Sequence, residues 1–206
     1  ALGIALQLLA ILEREPELAA FMVRDDDTFV DLWRRGEIAT EIKGNRPGVF
    51  VSIHANSSPN RRSARGFETY FLSEARTEHE RRVSAIENAP LSLQGQDVDL
   101  SQEPDLGFIL RELRTLDHQH WSALLAEMVQ EELEEFHPGP NRGVKQGVLA
   151  VLTNALMPSV LIEAGYLSND EEARMLGDGD FQRDTGQAVA DAVLRFFERY
   201  PPGSSS

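Results

Sequence analysis

The sequence contains no cysteine among its 206 residues, which excludes disulfide bonds and thiolate metal sites, so any metal must be held by His, Asp or Glu. Positive charge is scarce: 20 Lys and Arg face 34 Asp and Glu, giving a formal net charge of −14. An acidic protein repels phosphate backbones, and we expect no nucleic-acid partner. The most apolar segment, residues 1–12, is shorter than the roughly 20 residues that a membrane-spanning helix needs, so we expect no transmembrane segment.

Two common catalytic motifs are also missing. The sequence has neither a Gly-rich phosphate loop nor a Gly-x-Ser-x-Gly elbow, and chemistry with a serine nucleophile therefore has no support. With 41% hydrophobic and 26% charged residues, the composition is that of a globular protein, and the length fits one domain.

Hydrophobic patterns predict strands that alternate with helices. We predict strands at residues 20–23, 49–53, 66–72, 148–152 and 160–163. Helices are predicted at residues 1–14, 29–43, 73–88 (with Ser73 as N-cap), 105–136 (where residues 121–136 continue the pattern of 105–113), 169–176 and 181–197, with loops at 89–104 and 137–147. This alternation favours an α/β fold whose mostly parallel sheet has helices on both faces.

Two of these strands end in residues that bind metal or transfer protons. His54 follows the apolar run 50–53, and Glu163 follows the run 159–162. In α/β proteins the chemistry collects beyond the carboxyl ends of the strands, so neighbouring strands would bring the two side chains together. An imidazole and a carboxylate are the minimum for metal-assisted hydrolysis, with His54 as ligand and Glu163 as ligand or general base.

Each candidate also has a purely structural interpretation. A single His at a strand end is most often a hydrogen-bonded structural residue, and Glu163 could instead pair with an Arg. His118 and His120 are two residues apart in a helical pattern and cannot chelate one ion. His79 stands among charged residues and is expected on a solvated helix face.

Two further patterns bear on the surface of the site. Arg61, Arg62 and Arg65 either steer an anionic substrate or form a solvated loop. The alternation in residues 66–72 predicts a strand whose wetter face carries Glu68 and Tyr70.

Five segments occur in an order that is characteristic of one family. They are Arg24–Leu32, Val51–Asn56, Ala64–Gly66, Arg142–Gln146 and Pro158–Asn169. Together they resemble the zinc-dependent N-acetylmuramoyl-L-alanine amidases of bacterial cell-wall hydrolysis, the type-3 amidase domain. The resemblance covers nearly the whole chain, and it implies a single α/β domain at residues 1–199 with a mixed sheet of about five or six strands. Residues 200–206 are expected to be a linker or tail.

The resemblance also implies a zinc site. The family binds one Zn²⁺ through a His, a Glu and a second His; His54 matches the second His, and Glu163 matches the catalytic glutamate. Arg142 and Lys145 are expected near the carboxylates of the peptide stem, while Asn56 either binds substrate or orients the loop after His54. The other two ligands lie upstream of the first helix, in which this sequence begins, so we expect an amino-terminally truncated domain that binds metal weakly and is a poor enzyme by itself.

Some relatives carry a helical insertion between the strand near Tyr70 and segment 142–146, which plugs the zinc site until an activator binds. We expect no such plug, because this interval holds about the two helices that are expected without one.

The expected activity is hydrolysis of the amide between N-acetylmuramic acid and L-alanine by zinc-activated water, with Glu163 as general base. The expected partner is peptidoglycan, the expected location is the periplasm or the outside of the cell, and the expected state is a monomer. Two alternatives remain open: a non-catalytic peptidoglycan-binding or regulatory domain derived from such an enzyme, and another zinc exopeptidase of the same fold.

Overall fold

The computed structural model describes residues 1–58, 60–93 and 106–202, and it describes residues 90–93 and 106–117 by their backbone alone. Within these ranges the strands are β1 (Phe50–Asn56), β2 (Phe67–Leu72), β3 (Asn141–Gly147) and β4 (Ser159–Tyr166). The helices are α1 (Leu2–Leu12), α2 (Leu32–Lys43), α3 (Glu78–Leu93), α4 (Leu106–Glu134), α5 (Ala150–Thr153), α6 (Asp170–Gly177) and α7 (Gly179–Arg199).

The four strands form one sheet in the order β1-β4-β2-β3. β1 runs parallel to β4, β2 runs parallel to β3, and β2 and β4 are antiparallel. The predicted mixed, mostly parallel sheet is therefore confirmed. Its described part has four strands instead of the five or six that we expected.

Helices cover both faces of the sheet, as predicted. On one face α4 and α7 pack against Phe67, Val160 and Ile162. On the other face α2, α3 and α5 pack against Tyr70 and Leu161. Every residue of β4 is buried, which follows from its central position between these two helical layers.

Residues 20–23 do not form the predicted strand. A short strand is stable only when a neighbour completes its hydrogen bonds, and β1 pairs with β4 alone among the described strands. The apolar character of residues 20–23 was therefore not sufficient evidence for a strand.

The loop predicted at 137–147 and the strand predicted at 148–152 are also wrong. The strand is β3, Asn141–Gly147, and the apolar residues that follow it form the short helix α5. β3 lies at the edge of the sheet and is only partly buried, so it lacks an apolar pattern. The residues after β3 are apolar because Ala150, Val151 and Leu152 of α5 are buried in the core on that face of the sheet.

The boundaries of α3 differ from the prediction. α3 begins after Thr77 instead of Ser73, because Thr77 and Glu80 form a capping box: Glu80 N donates to Thr77 Oγ1 at 3.2 Å, and Thr77 N donates to Glu80 Oε2 at 2.7 Å. α3 continues through residues 89–93, which we had assigned to a loop, and the rest of that loop prediction, residues 94–104, lies outside the described residues. α4 is one continuous helix of 29 residues, which agrees with the continuous helical pattern of residues 105–136.

None of the helices that the structure describes is long and apolar enough to cross a membrane.

Candidate metal and catalytic site

The sheet brings His54, Glu163 and Glu68 into one row across three neighbouring strands. His54 on β1 is the register partner of Glu163 on β4, and Glu163 is in turn the partner of Glu68 on β2. Directly paired residues on adjacent strands project to the same face of a sheet. The predicted meeting of His54 and Glu163 is therefore seen, and Glu68 is an addition that the sequence did not reveal.

Glu163 is fully buried, and neither of its carboxylate oxygens has a hydrogen-bond partner among the described residues. Burial raises the pKa of Glu163 well above its ordinary value, and the charges of Glu87 and Glu68 raise it further. A buried carboxylate without partners is costly to keep unless it serves a cation or a proton transfer.

A third side chain, Glu87 of α3, completes a cluster with His54 and Glu163. His54 Nδ1 lies 2.6 Å from Glu87 Oε2, and one potential ligand atom from each of the three residues lies within 4.8 Å of the others. We did not single out Glu87 from the sequence. Helical spacing could have found it, because Glu80, Val83 and Glu87 follow one another at i, i+3 and i+7 and so share the face that Val83 buries.

This cluster fits a zinc ion by its chemistry. One imidazole and two carboxylates are ligands that Zn²⁺ accepts in catalytic sites. The short contact from His54 to Glu87 brings two side chains that can bind metal within reach of one ion. The two unpaired oxygens of Glu163 are a further reason to place positive charge here.

Glu68, by contrast, is fully buried and richly hydrogen-bonded. Its partners are Asn56 Nδ2 at 2.9 Å, Tyr166 OH at 3.3 Å, Tyr70 OH at 3.4 Å, His79 Nε2 at 2.8 Å and Arg142 Nε at 3.2 Å. Burial alone would raise the pKa of Glu68, but the hydrogen bond from His79 and the charge of Arg142 outweigh it and hold that pKa below its ordinary value.

These contacts correct two expectations. Glu68 and Tyr70 do not lie on a wetter face of β2, because α3 covers that face and both are completely buried. His79 is not on a solvated helix face either: its Nε2 donates to Glu68, and its Nδ1 accepts from Arg82 at 2.9 Å. The charged residues around His79 indicated a solvated helix, although one side of α3 faces the sheet.

The predicted substrate-binding residues surround this network. Asn56 is buried at the end of β1, two residues beyond His54, and its amide donates to Glu68. Arg142 is partly exposed on β3, with its guanidinium 5.5 Å from the centre of the Tyr166 ring. Lys145 is partly buried on β3 as the register partner of Tyr70.

The remaining candidates lie elsewhere or serve the fold. His137 is buried, accepts from Gly139 N at 2.9 Å through Nδ1 and donates to Ala164 O at 3.1 Å through Nε2. Burial lowers its pKa, so His137 is a neutral structural residue. Arg61, Arg62 and Arg65 are exposed in the loop before β2.

The segment between β2 and β3 does reach the site, although we expected no plug there. α3 belongs to this interval, and its Glu87 stands against His54, so that both side chains are largely shielded from solvent. The number of helices in the interval therefore does not show which of its side chains lie at the site.

Comparison with known proteins identifies a family for this chain. The family described as N-acetylmuramoyl-L-alanine amidase (Amidase_3) matches residues 1–195. N-acetylmuramoyl-L-alanine amidase AmiA of Escherichia coli K12 is 29% identical over 198 residues, covering 95% of this chain and 66% of that protein. N-acetylmuramoyl-L-alanine amidase AmiC of Neisseria meningitidis is 31% identical over 181 residues, covering 85% of this chain and 41% of that protein.

Solved structures show the same fold. The N-acetylmuramoyl-L-alanine amidase of Clostridium difficile 630 superposes with a TM-score of 0.70 at 22% identity, covering 97% of this chain and 82% of that one. AmiC2 of Nostoc punctiforme, also an N-acetylmuramoyl-L-alanine amidase, gives a TM-score of 0.66 at 28% identity and covers 96% of this chain and 82% of that one. Against the two curated relatives above, the chain spans 66% and 41% of their length.

Proposed function

Because the chain belongs to the N-acetylmuramoyl-L-alanine amidase family, we propose that it hydrolyses the amide bond between N-acetylmuramic acid and L-alanine in peptidoglycan. The observation that supports this most directly is the fully buried Glu163 carboxylate, unpaired and adjacent to His54. The proposed place of action is the cell wall, in the periplasm or outside the cell, and the proposed acting form is a monomer.

His54 and Glu87 would hold one zinc ion, with Glu163 beside them. When bound, zinc supplies a Lewis acid that polarises the amide carbonyl and makes water a nucleophile near neutral pH. Of these residues, Glu87 is the one that the family resemblance did not supply.

Glu163 would act as the general base. Its raised pKa lets the carboxylate take a proton from the attacking water and then deliver it to the departing amine of L-alanine. The position of Glu163 on the central strand, buried on both faces, fixes the carboxylate so that little reorganisation is needed during the reaction.

Arg142, Lys145 and Asn56 would orient the substrate. The two cations on β3 suit the carboxylates of the peptide stem, and Asn56 extends the same polar surface to the end of β1.

The test uses the natural full-length protein, loaded with zinc and incubated with purified sacculi, and identifies the products by mass. We expect intact stem peptides with a free L-alanine amine from the wild type, and none from Glu163→Gln. Shortened peptides would instead indicate an exopeptidase, and binding without release would indicate a non-catalytic domain. Cleavage at the wild-type rate by Glu163→Gln would refute the role of Glu163.

A further inference from the structure

Glu68 joins two of the proposed substrate-binding residues to one buried carboxylate. Its Oε1 accepts from Asn56 Nδ2 at 2.9 Å, and its Oε2 accepts from Arg142 Nε at 3.2 Å. Asn56 ends β1 and Arg142 lies on β3, at opposite edges of the sheet. Glu68 is therefore the only described side chain that is hydrogen-bonded to both of them.

Arg142 is held in a definite orientation by this contact. Glu68 binds its Nε, and the Tyr166 ring lies 5.5 Å from the guanidinium carbon. The other two guanidinium nitrogens make no hydrogen bond to any described residue, and 31% of the side chain is exposed. A guanidinium with one nitrogen fixed and two available presents the fork that matches a carboxylate.

Resting on the proposed function, we propose that Glu68 is a positioning residue that aims Arg142 at a carboxylate of the peptide stem. Glu68 thereby makes the protein prefer stem peptides with free carboxylates over those in which the carboxylates are amidated. This specificity comes from the orientation of Arg142, since Glu68 itself is fully buried and cannot touch the substrate.

Two physical effects of Glu68 on Arg142 oppose each other. Its negative charge weakens the attraction of Arg142 for an anion, while its hydrogen bond removes the cost of ordering a long side chain on binding. The charge effect at a partly exposed site is screened by salt, and the ordering effect is not. At high salt the ordering effect dominates, so loss of Glu68 weakens binding of an anionic stem.

The experiment measures equilibrium binding to the metal-free protein by NMR titration in 0.5 M salt, where no hydrolysis occurs. The two ligands are N-acetylmuramoyl-L-alanyl-D-glutamic acid and its diamide, which carries no carboxylate. We expect the wild type to bind the diacid about tenfold or more tightly than the diamide, as charge-assisted hydrogen bonds predict. Arg142→Ala should reduce this ratio to near one.

Glu68→Gln should reduce the ratio several-fold by weakening diacid binding alone. Glu68→Asp serves if Glu68→Gln does not fold: it retains the charge but withdraws the carboxylate from Arg142, so the ratio should fall here too. Tyr70→Phe removes another partner of Glu68 without touching Arg142, and it should leave the ratio unchanged.

Three results would overturn the inference while leaving the proposed activity intact. They are a wild type that binds both ligands equally, a Glu68 variant that binds the diacid as tightly as the wild type or more tightly, and an equal loss for both ligands, which indicates structural damage only. A wild type that binds neither ligand would contradict the proposed function itself.

Discussion

Glu68 and Glu163 lie directly opposite each other on the antiparallel strands β2 and β4, and both are completely buried. Glu68 is hydrogen-bonded from several directions, whereas Glu163 has no partner among the described residues. The pKa of Glu68 is accordingly lowered and that of Glu163 is raised. Two neighbouring carboxylates thus differ in environment, and this difference suits the general-base role that we propose for Glu163.

Replacement of Glu163 by Gln should stabilise the metal-free protein. The pKa of Glu163 is higher in the folded protein than its ordinary value. Protonated Glu163 therefore contributes to stability at pH values below the ordinary pKa, and this contribution is lost as the pH rises through the folded-state pKa. The gain from Glu163→Gln should therefore be absent in acid and grow toward neutral pH, visible in thermal melts as about 2–4 °C for each kcal/mol. Equal melting temperatures for the two proteins at both pH 5 and pH 8 would show that burying the ionised Glu163 carboxylate does not destabilise the fold.

Replacement of Glu68 by Gln should do the opposite. The pKa of Glu68 is lower in the folded protein than its ordinary value. Ionised Glu68 therefore contributes to stability at pH values above the ordinary pKa, and this contribution is lost as the pH falls through the folded-state pKa. At neutral pH the variant leaves Arg142 without its charged partner, at an expected cost of about 1–3 kcal/mol. Denaturant unfolding at several pH values checks this, and the difference from the wild type should shrink in acid. A constant difference at all pH values would point to packing instead of charge.

The central part of the site could be predicted from the sequence because it obeys a simple rule. His54 and Glu163 each end an apolar run, and strands with such runs lie side by side in α/β folds, so their meeting followed from position alone. The family resemblance supplied the expected roles of these residues, which pattern alone does not reveal.

The missed residues have a common physical reason. Glu68, His79 and Glu87 are polar, and a polar residue in a charged segment is normally assigned to solvent. Their burial depends on α3 covering the sheet face that carries Tyr70, which is a tertiary contact between distant segments. β3 was missed for a similar reason, because its pairing with β2 outweighs the weak strand propensity of residues 141–147.

Zinc binding should depend on both His54 and Glu87. We expect the wild type to bind Zn²⁺ in competition with a chromophoric chelator, and His54→Ala and Glu87→Gln each to weaken binding about tenfold or more, as loss of a ligand or its close partner does. Because metal ligands bind in their deprotonated forms, binding should release protons and weaken in acid. His120→Ala is the matched control, since His120 is exposed on α4. Unchanged affinity in both cluster variants would place the metal elsewhere.

Loss of the capping box should loosen α3 and with it the contact to His54. Thr77→Ala removes the side-chain acceptor for Glu80 N, at an expected cost of about 1 kcal/mol. Hydrogen exchange should accelerate in the first turn of α3, and His54 should become more reactive toward an imidazole-acylating reagent as Glu87 moves away. Faster exchange without a change in His54 reactivity would mean that the first turn of α3 does not hold Glu87 in place.

Gly66 should tolerate no larger residue, because two independent constraints act at this position. Its φ of 103° lies in the region that favours glycine, and a Cβ here would clash with Pro140 O. Gly66→Ala should therefore cost about 1–3 kcal/mol from the backbone alone, with more from the clash. The same turn is fixed by Gly66 N, which donates to Glu172 Oε1 at 2.6 Å, so displacement here would also shift the start of β2 and the adjacent Glu68.

Gly177→Ala is the matched control, since Gly177 ends α6 with open space around it and should change stability little. Denaturant unfolding of both variants provides the check, and similar stability for the two would mean that the approach to Pro140 is not a constraint in solution.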